Sequence, residues 1–465
     1  MNRFFRRTLS LFLSASLACS LGISAAASNA LGEDLSSRDT LLNQETQLST
    51  NVFWSSAYSD LRTENVVTYT PNEDVTPIVT YGDTLPSRIT VSSAAKSLES
   101  QGYRVVAGIN GDFFNTSTGL PIGLVVSEGE LLSTDGGYYA IGFRADGTAV
   151  LGKPGVKVSA DLGYAVDDGS GSPVELIRPV IAVNKARTNS GVFLYTYDFN
   201  ARHTTGTTEA GVNVVCTVEQ GQLAIGSTVT ARVERVEETT VTAIQPDQIV
   251  LSANANADAY YTNALRNMSA GSEVTLTVSA NAGWDDVEYA VGALYCLAEN
   301  GAVASGLAAG VNPRTAVGQK ADGTLVFYTI DGRRSGYSIG ASLTQVGQRL
   351  VELGCETVLC LDGGGSTNQV FVSVREHKPM TLRTAPLIFA STVMSHLFGG
   401  SSGREGAALL LGGSVSGQIG KVFHLENRDC RLMTMCGMAG AFSAIFGTPL
   451  AATIFTLEVV DVGSM

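Results

Sequence analysis

Three clusters in this 465-residue chain combine carboxylates, guanidinium groups, hydroxyls and glycines. They are Asn110-Gly111-Asp112-Phe113-Phe114, then Asn312-Pro313-Arg314-Thr315-Ala316-Val317-Gly318, then Asp331-Gly332-Arg333-Arg334-Ser335-Gly336 leading on to Asp362-Gly363-Gly364-Gly365-Ser366-Thr367. Any one alone reads as a hairpin or loop, because Asp-Gly is a routine turn pair. Together they put carboxylates beside cationic donors, a set suited to acid/base chemistry next to an anion. Asp112 and Asp362 are the candidate carboxylate pair, with acid/base and nucleophile roles open between them. Arg314, fixed after Pro313, can offer a planar fork to two phosphate oxygens, and Arg333 can add a second cation. Gly363, Gly364 and Gly365 leave room for a ligand against the backbone and let successive N–H groups turn toward an anion, beside the hydroxyls of Ser366 and Thr367. Asn110, Gly111, Asp331 and Ser335 complete the candidate substrate-binding set, with Asp331 suited to orienting Arg333.

Two segments of one design must position these groups. In the first, Ser92-Ser93 cap a helix with Ala94, Ala95 and Leu98 on one face, Gly102 stops it, and a strand from Tyr103 to Ile109 ends at Asn110-Gly111-Asp112. In the second, Ser342 caps, Leu343, Val346, Leu350 and Leu353 recur at helical spacing, and Gly354 stops the helix. A strand from Thr357 to Leu361 then delivers Asp362. Both strands end on a carboxylate, and ligand sites gather just beyond strand ends, so the two can build one pocket if the strands are neighbours.

A formal charge of −13 and an isoelectric point near 4.8 argue against a nucleic-acid partner. Residues 1–30 have the layout of a secretory signal: Arg3, Arg6 and Arg7, an apolar run from Leu9 to Ile23, then small residues, with cleavage expected after Ala27 or Ala30. Export to the cell envelope follows from that reading. Cys216, Cys296, Cys355 and Cys360 form no dense framework and read as core thiols. No His or Cys spacing supports a metal, and no cofactor is expected.

Residues 31–50, rich in Ser, Thr, Asn and Gln, read as a polar linker before a domain over 51–374. Within it, residues 150–300 alternate in Val, Thr and Gly and read as a β-rich insertion. There Asn184, Arg187, Tyr195, Tyr197 and His203 are the polar residues that could face a substrate, although solvated turn residues are the commoner explanation. After Val374 the composition becomes apolar, and Leu432 to Val460 contains a single Glu458, which reads as a membrane segment. The expected fold is therefore α+β, a mixed sheet flanked by helices with a β-rich insertion, followed by an α-helical membrane-type fragment over 375–465.

The ordered clusters resemble the bacterial phosphodiester glycosidase family over about Asn51 to Phe371, most specifically from Arg314 through Ser366. The resemblance implies an exported hydrolase acting on sugar-phosphate diesters of the N-acetylglucosamine type, with a sugar phosphate or cell-wall glycan as substrate. A non-catalytic wall-binding module on the same fold is the alternative. From about Lys378, Gly399-Gly400-Ser401-Ser402-Gly403-Arg404-Glu405-Gly406 and Gly440-Ala441-Phe442-Ser443-Ala444-Ile445-Phe446-Gly447-Thr448-Pro449-Leu450 resemble the chloride channel and transporter family. That resemblance implies an anion site at a helix start, with Arg404, Glu405 and Gly406 as its vestige and Glu405 as the gate. The family's earlier serine-bearing loop and later filter residues have no counterpart here, which argues against conduction. A joined reading frame accounts for this better than an evolved fusion.

Overall fold

The computed structural model describes residues 29–43, 45–72, 74–167, 173–363 and 371–372, and further on residues 412, 415–416, 418–419, 423, 427–448 and 450. The chain divides into two compact units, Met1–Val374 and Arg375–Met465.

The first unit is built of sheets. An eight-stranded sheet runs in the order Glu33–Asn43, Thr46–Ser55, Asp60–Tyr69, Leu325–Ile330, Arg314–Lys320, Cys355–Cys360, Tyr295–Glu299, Ala302–Val303, and every neighbouring pair is antiparallel. One face is covered by the helix Leu343–Glu352, which buries Leu343, Val346 and Leu350 against Val66, Ala316, Tyr328 and Cys360. At roughly 1.5–3 kcal/mol per large apolar side chain, those contacts are the main reason so short a helix persists. Ser342 and Gln345 close a capping box at its start, and Gly354, at φ +93°, turns the chain back into the next strand. The opposite face carries Val317, Leu325, Leu359 and Leu361 and packs on Ile141, Phe143 and Ala293 of a five-stranded antiparallel sheet.

The alternating Val and Thr runs between these elements close into a seven-stranded barrel: Pro173–Val183, Val192–Thr196, Gln248–Asn254, Gly211–Gln220, Thr228–Thr239, Glu273–Ser279 and Lys157–Asp167. Its interior is filled by Leu162, Val183, Leu194, Val214, Ala231, Leu251 and Leu276. Closure leaves no free edge along the strands.

Three expectations are corrected. The fold is mostly β rather than α+β, because period-2 alternation builds two sheets and a barrel that hold most of the core, with the helix Leu343–Glu352 covering one sheet face. The α-helical membrane-type fragment is overturned as well: no helix among the described residues is long and apolar enough to cross a membrane. The helix Asn427–Phe446 opens with Arg428, Asp429 and Arg431, and its side chains show almost no preferred apolar face. Where a linker was expected, Glu33–Asn43 and the first part of Thr46–Ser55 are strands. Thr, Val, Phe and Trp between Thr46 and Ser55 favour extended backbone, and ten register pairs hold that strand to Asp60–Tyr69. The chain before them is anchored too, since the buried Arg62 donates to the carbonyl of Leu31 at 3.0 Å and Leu31 is 1% exposed.

The first expected helix forms over Val91–Ser100, capped by Thr90 rather than Ser92, while the strand expected from Tyr103 shrinks to Ala107–Gly108 and pairs with Phe371–Val372.

Candidate active site

The strand Cys355–Cys360 delivers Asp362 to the loop that carries Asp112. The N–H of Asp362 donates to the Gly111 carbonyl at 3.0 Å, and the Asn110 amide donates to the Asp362 carbonyl at 2.8 Å. The Asn110 oxygen in turn accepts from the Thr315 hydroxyl at 2.8 Å, which brings in the strand bearing Arg314. Three segments far apart in sequence are thus joined at one sheet end.

Asp112 lies in a cradle of glycines. Its Oδ2 accepts from the Gly123 N–H at 2.6 Å, and a Cβ placed on Gly292 would stand 2.6 Å from the same oxygen. Burial pushes the Asp112 carboxyl up to about 6, against the pull of the Gly123 N–H and Lys185, while the negative charge of Asp362 raises it further. A carboxyl titrating there can hold or release a proton near neutrality.

Arg314 begins its strand half-buried, with Nε donating to the Ala341 carbonyl at 3.3 Å and Nη2 to the Gly310 carbonyl at 2.8 Å. Those bonds fix the plane of its guanidinium. Burial lowers its pKa, and the positive charge of Arg333 lowers it further. Among the described residues neither is ion-paired with a carboxylate. Arg333 takes a φ of +60°, a conformation rare for a residue with a side chain, and its Nε and Nη2 both donate to the Asn312 oxygen. A Cβ on Gly363 would stand 3.1 Å from the Pro313 carbonyl and 3.6 Å from Arg314 Cδ, so this glycine lets the Asp362 turn lie against the arginine. Tyr295, 45% exposed, stands edge-on to Phe113 at 6.1 Å.

Other expected residues have structural partners. Asp331 accepts from the Tyr337 hydroxyl at 2.7 Å and its N–H donates to the Thr63 carbonyl, which steadies the loop carrying Arg333. Ser335 donates to Asp60 at 2.7 Å on the exposed side of that loop, a turn contact. Arg187 donates to Ser252 and Asn213, and His203 stacks on Tyr197 at 3.7 Å. Gly364, Gly365, Ser366, Thr367, Arg404, Glu405 and Gly406 lie outside the described residues.

Lys185, absent from the sequence expectations, is brought to the site by the barrel. Its ammonium donates to the carbonyls of Pro121, Ile122 and Gly123 at 2.7, 2.8 and 3.0 Å. Its neighbours support it: buried Asn184 donates to the Leu132 carbonyl and the Thr196 hydroxyl, and the Tyr195 hydroxyl donates to the Lys185 carbonyl at 3.1 Å. A cation placed one residue after a buried Asn at the end of a strand was the available signal.

Among the described residues no cluster of His, Cys, Asp or Glu is arranged to hold a metal ion. The arrangement offers two carboxylates and two arginines, a set able to support acid/base chemistry beside an anion.

Comparison with known proteins separates the two ends of the chain. A voltage gated chloride channel family model matches residues 356–463. Over 88 residues the chain is 46% identical to a chloride/fluoride channel protein of Pseudomonas syringae pv. tomato, covering 19% of this chain and 20% of that protein. It is 39% identical over 57 residues to an H(+)/Cl(-) exchange transporter of Vibrio cholerae, 12% of each chain. The chain thus spans about a fifth or less of the length of these curated relatives. Among solved structures, a hypothetical protein from Synechocystis superposes with a TM-score of 0.55 at 17% identity, covering 73% of this chain and 61% of that one. A putative exported protein from Burkholderia pseudomallei K96243 gives 0.51 at 19% identity, covering 68% and 70%. At such identity the likeness is one of fold. The phosphodiester glycosidase family model matches residues 103–234 and 227–390, more than half of the 465 residues and the whole of the site just described, and the chain belongs to that family.

Proposed function

We propose that this protein is an exported glycosidase that hydrolyses sugar-phosphate diesters of the N-acetylglucosamine 1-phosphate type. The observation that carries the reading is the junction of Asp362 with the Asp112 loop beside Arg314, which supplies carboxylates and an anion site together. In the proposed reaction the bond from the anomeric carbon to the phosphate oxygen breaks. Water supplies the new oxygen on that carbon, and a phosphate monoester leaves.

Asp112, with its carboxyl raised to about 6, takes the acid/base role, and Asp362 the nucleophilic or charge-stabilising role. Arg314 and Arg333 hold the phosphate oxygens, where charge grows as the bond breaks. A phosphate is already a fair leaving group, so the cations carry more of the barrier lowering than proton donation does. The exposed ring of Tyr295 offers an apolar face to the sugar.

The test is incubation of the full chain with UDP-N-acetylglucosamine and a panel of methyl-phosphoglycosides, with free sugar as readout. Absence of release from folded protein that still binds the panel would leave a carbohydrate-binding module.

The channel-family match favours a second reading for residues 356–463 alone, an anion-handling segment. Chloride binding to the full chain tests it, and a chain that binds no chloride removes it.

A further inference from the structure

We propose that Lys185 is a positioning residue, an ammonium clamp that closes the 121–123 loop over Asp112 and keeps that carboxylate ionisable. For its bearing on turnover the proposal rests on the acid/base role given to Asp112; the clamp itself rests on geometry.

A lysine ammonium has three N–H donors, and here three successive carbonyls, of Pro121, Ile122 and Gly123, receive them. A neutral amine has two donors and a lone pair, which would be set against a carbonyl oxygen, so the clamp holds only in the charged form. The clamped segment is the one whose Gly123 N–H donates to Asp112 Oδ2, and the Gly123 carbonyl is fixed a second time by the Ser133 hydroxyl at 3.1 Å. Lys185 therefore acts on Asp112 twice, through its charge and through the aim of one amide.

The groups facing Asp112 are the Gly123 and Phe113 N–H groups, Lys185 and Asp362, with Gly292 presenting no side chain. Lys185 itself faces Asp112 and the buried Asp135, whose carboxylate accepts from the N–H groups of Val156 and Gly137. Burial draws the Lys185 ammonium down to about 8 while both carboxylates oppose the fall. Removing Lys185 takes from Asp112 its one facing cation and leaves burial and Asp362, which favour the protonated form, opposed by the Gly123 and Phe113 N–H groups alone.

The test is a carboxyl titration of the full chain labelled with carbon-13 aspartate, the Asp112 signal being assigned by its loss in Asp112→Asn. In Lys185→Met, and in Lys185→Gln should the first fail to fold, the Asp112 midpoint rises by about one unit, a tenfold gain in proton affinity. The limb of the pH–rate profile that reports Asp112 moves to higher pH with it, whether Asp112 serves as acid or base. An unchanged midpoint in a folded variant overturns the clamp. A shifted midpoint in a chain that releases sugar from no phosphodiester upholds the clamp and overturns the glycosidase reading.

Discussion

The N–H of Asp362 donates to the carbonyl of Gly111 at 3.0 Å, so the backbone of one candidate catalytic residue is bonded to the residue preceding the other. Asn110 secures the same joint with two side-chain bonds, to the Asp362 carbonyl and from Thr315. Substituting Asn110→Ala is expected to cost about 1–3 kcal/mol of stability in denaturant unfolding and to lower kcat/KM at least about tenfold. Full activity in Asn110→Ala would mean the joint does not set the catalytic geometry.

Gly292 tests the cradle of Asp112. Its missing side chain leaves room that a Cβ would fill at 2.6 Å from Asp112 Oδ2 and 2.7 Å from Gly123 Cα. Since the obstruction includes backbone, Gly292→Ala must displace the carboxylate or the glycine loop. The expected result is a loss of about 1–3 kcal/mol in stability and a fall in kcat exceeding that in affinity for the phosphodiester.

The raised Asp112 carboxyl has a defined pH signature. Its folded value of about 6 lies above the ordinary 3.8, so the folded chain binds this proton more tightly than the unfolded chain. Stability is unaffected by this group below about pH 4, falls as pH rises from about 4 to 6, and then stays reduced. Asp112→Asn removes that fall, so the variant gains on the parent across this window, by on the order of 3 kcal/mol. Paired denaturant curves at several pH values measure the difference; a flat difference would contradict the buried-carboxyl assignment.

The capping box of the helix Leu343–Glu352 concerns stability alone. Ser342 accepts from the Gln345 N–H at 3.2 Å, and the Gln345 side chain accepts from the Ser342 N–H at 3.1 Å. Ser342→Ala is expected to cost about 1 kcal/mol, read as a lower unfolding midpoint with an unchanged denaturant slope.

Much of the site was legible because its residues punctuate local structure. The cap at Ser342, the stop at Gly354 and a strand ending at Asp362 are short-range signals, and the structure reproduces them within a residue or two at the strand. The meeting of Asp112 with Asp362 was stated only as a condition, because pairing between distant strands leaves no local trace. Lys185 escaped for the same reason: its partners are backbone carbonyls more than 60 positions away, and carbonyls have no sequence signature. The barrel showed as alternation but its closure did not, since the Lys157–Asp167 strand pairs with both Pro173–Val183 and Glu273–Ser279. Residues 31–50 misled because Ser, Thr and Gln suit a solvated edge strand as well as a linker; seven successive residues from Glu33 to Asp39 are exposed while paired on one side. The expected membrane segment began at Leu432, whereas the helix that forms, Asn427–Phe446, also takes in Arg428, Asp429 and Arg431.

The most direct test of the central claim is release of free sugar from a phosphodiester-linked N-acetylglucosamine by the full chain, compared with Asp362→Asn and Arg314→Ala. The account predicts turnover by the parent, loss of at least about a thousandfold in kcat/KM in each variant, and native circular dichroism in both. Parent-level hydrolysis by a folded Asp362→Asn would contradict it.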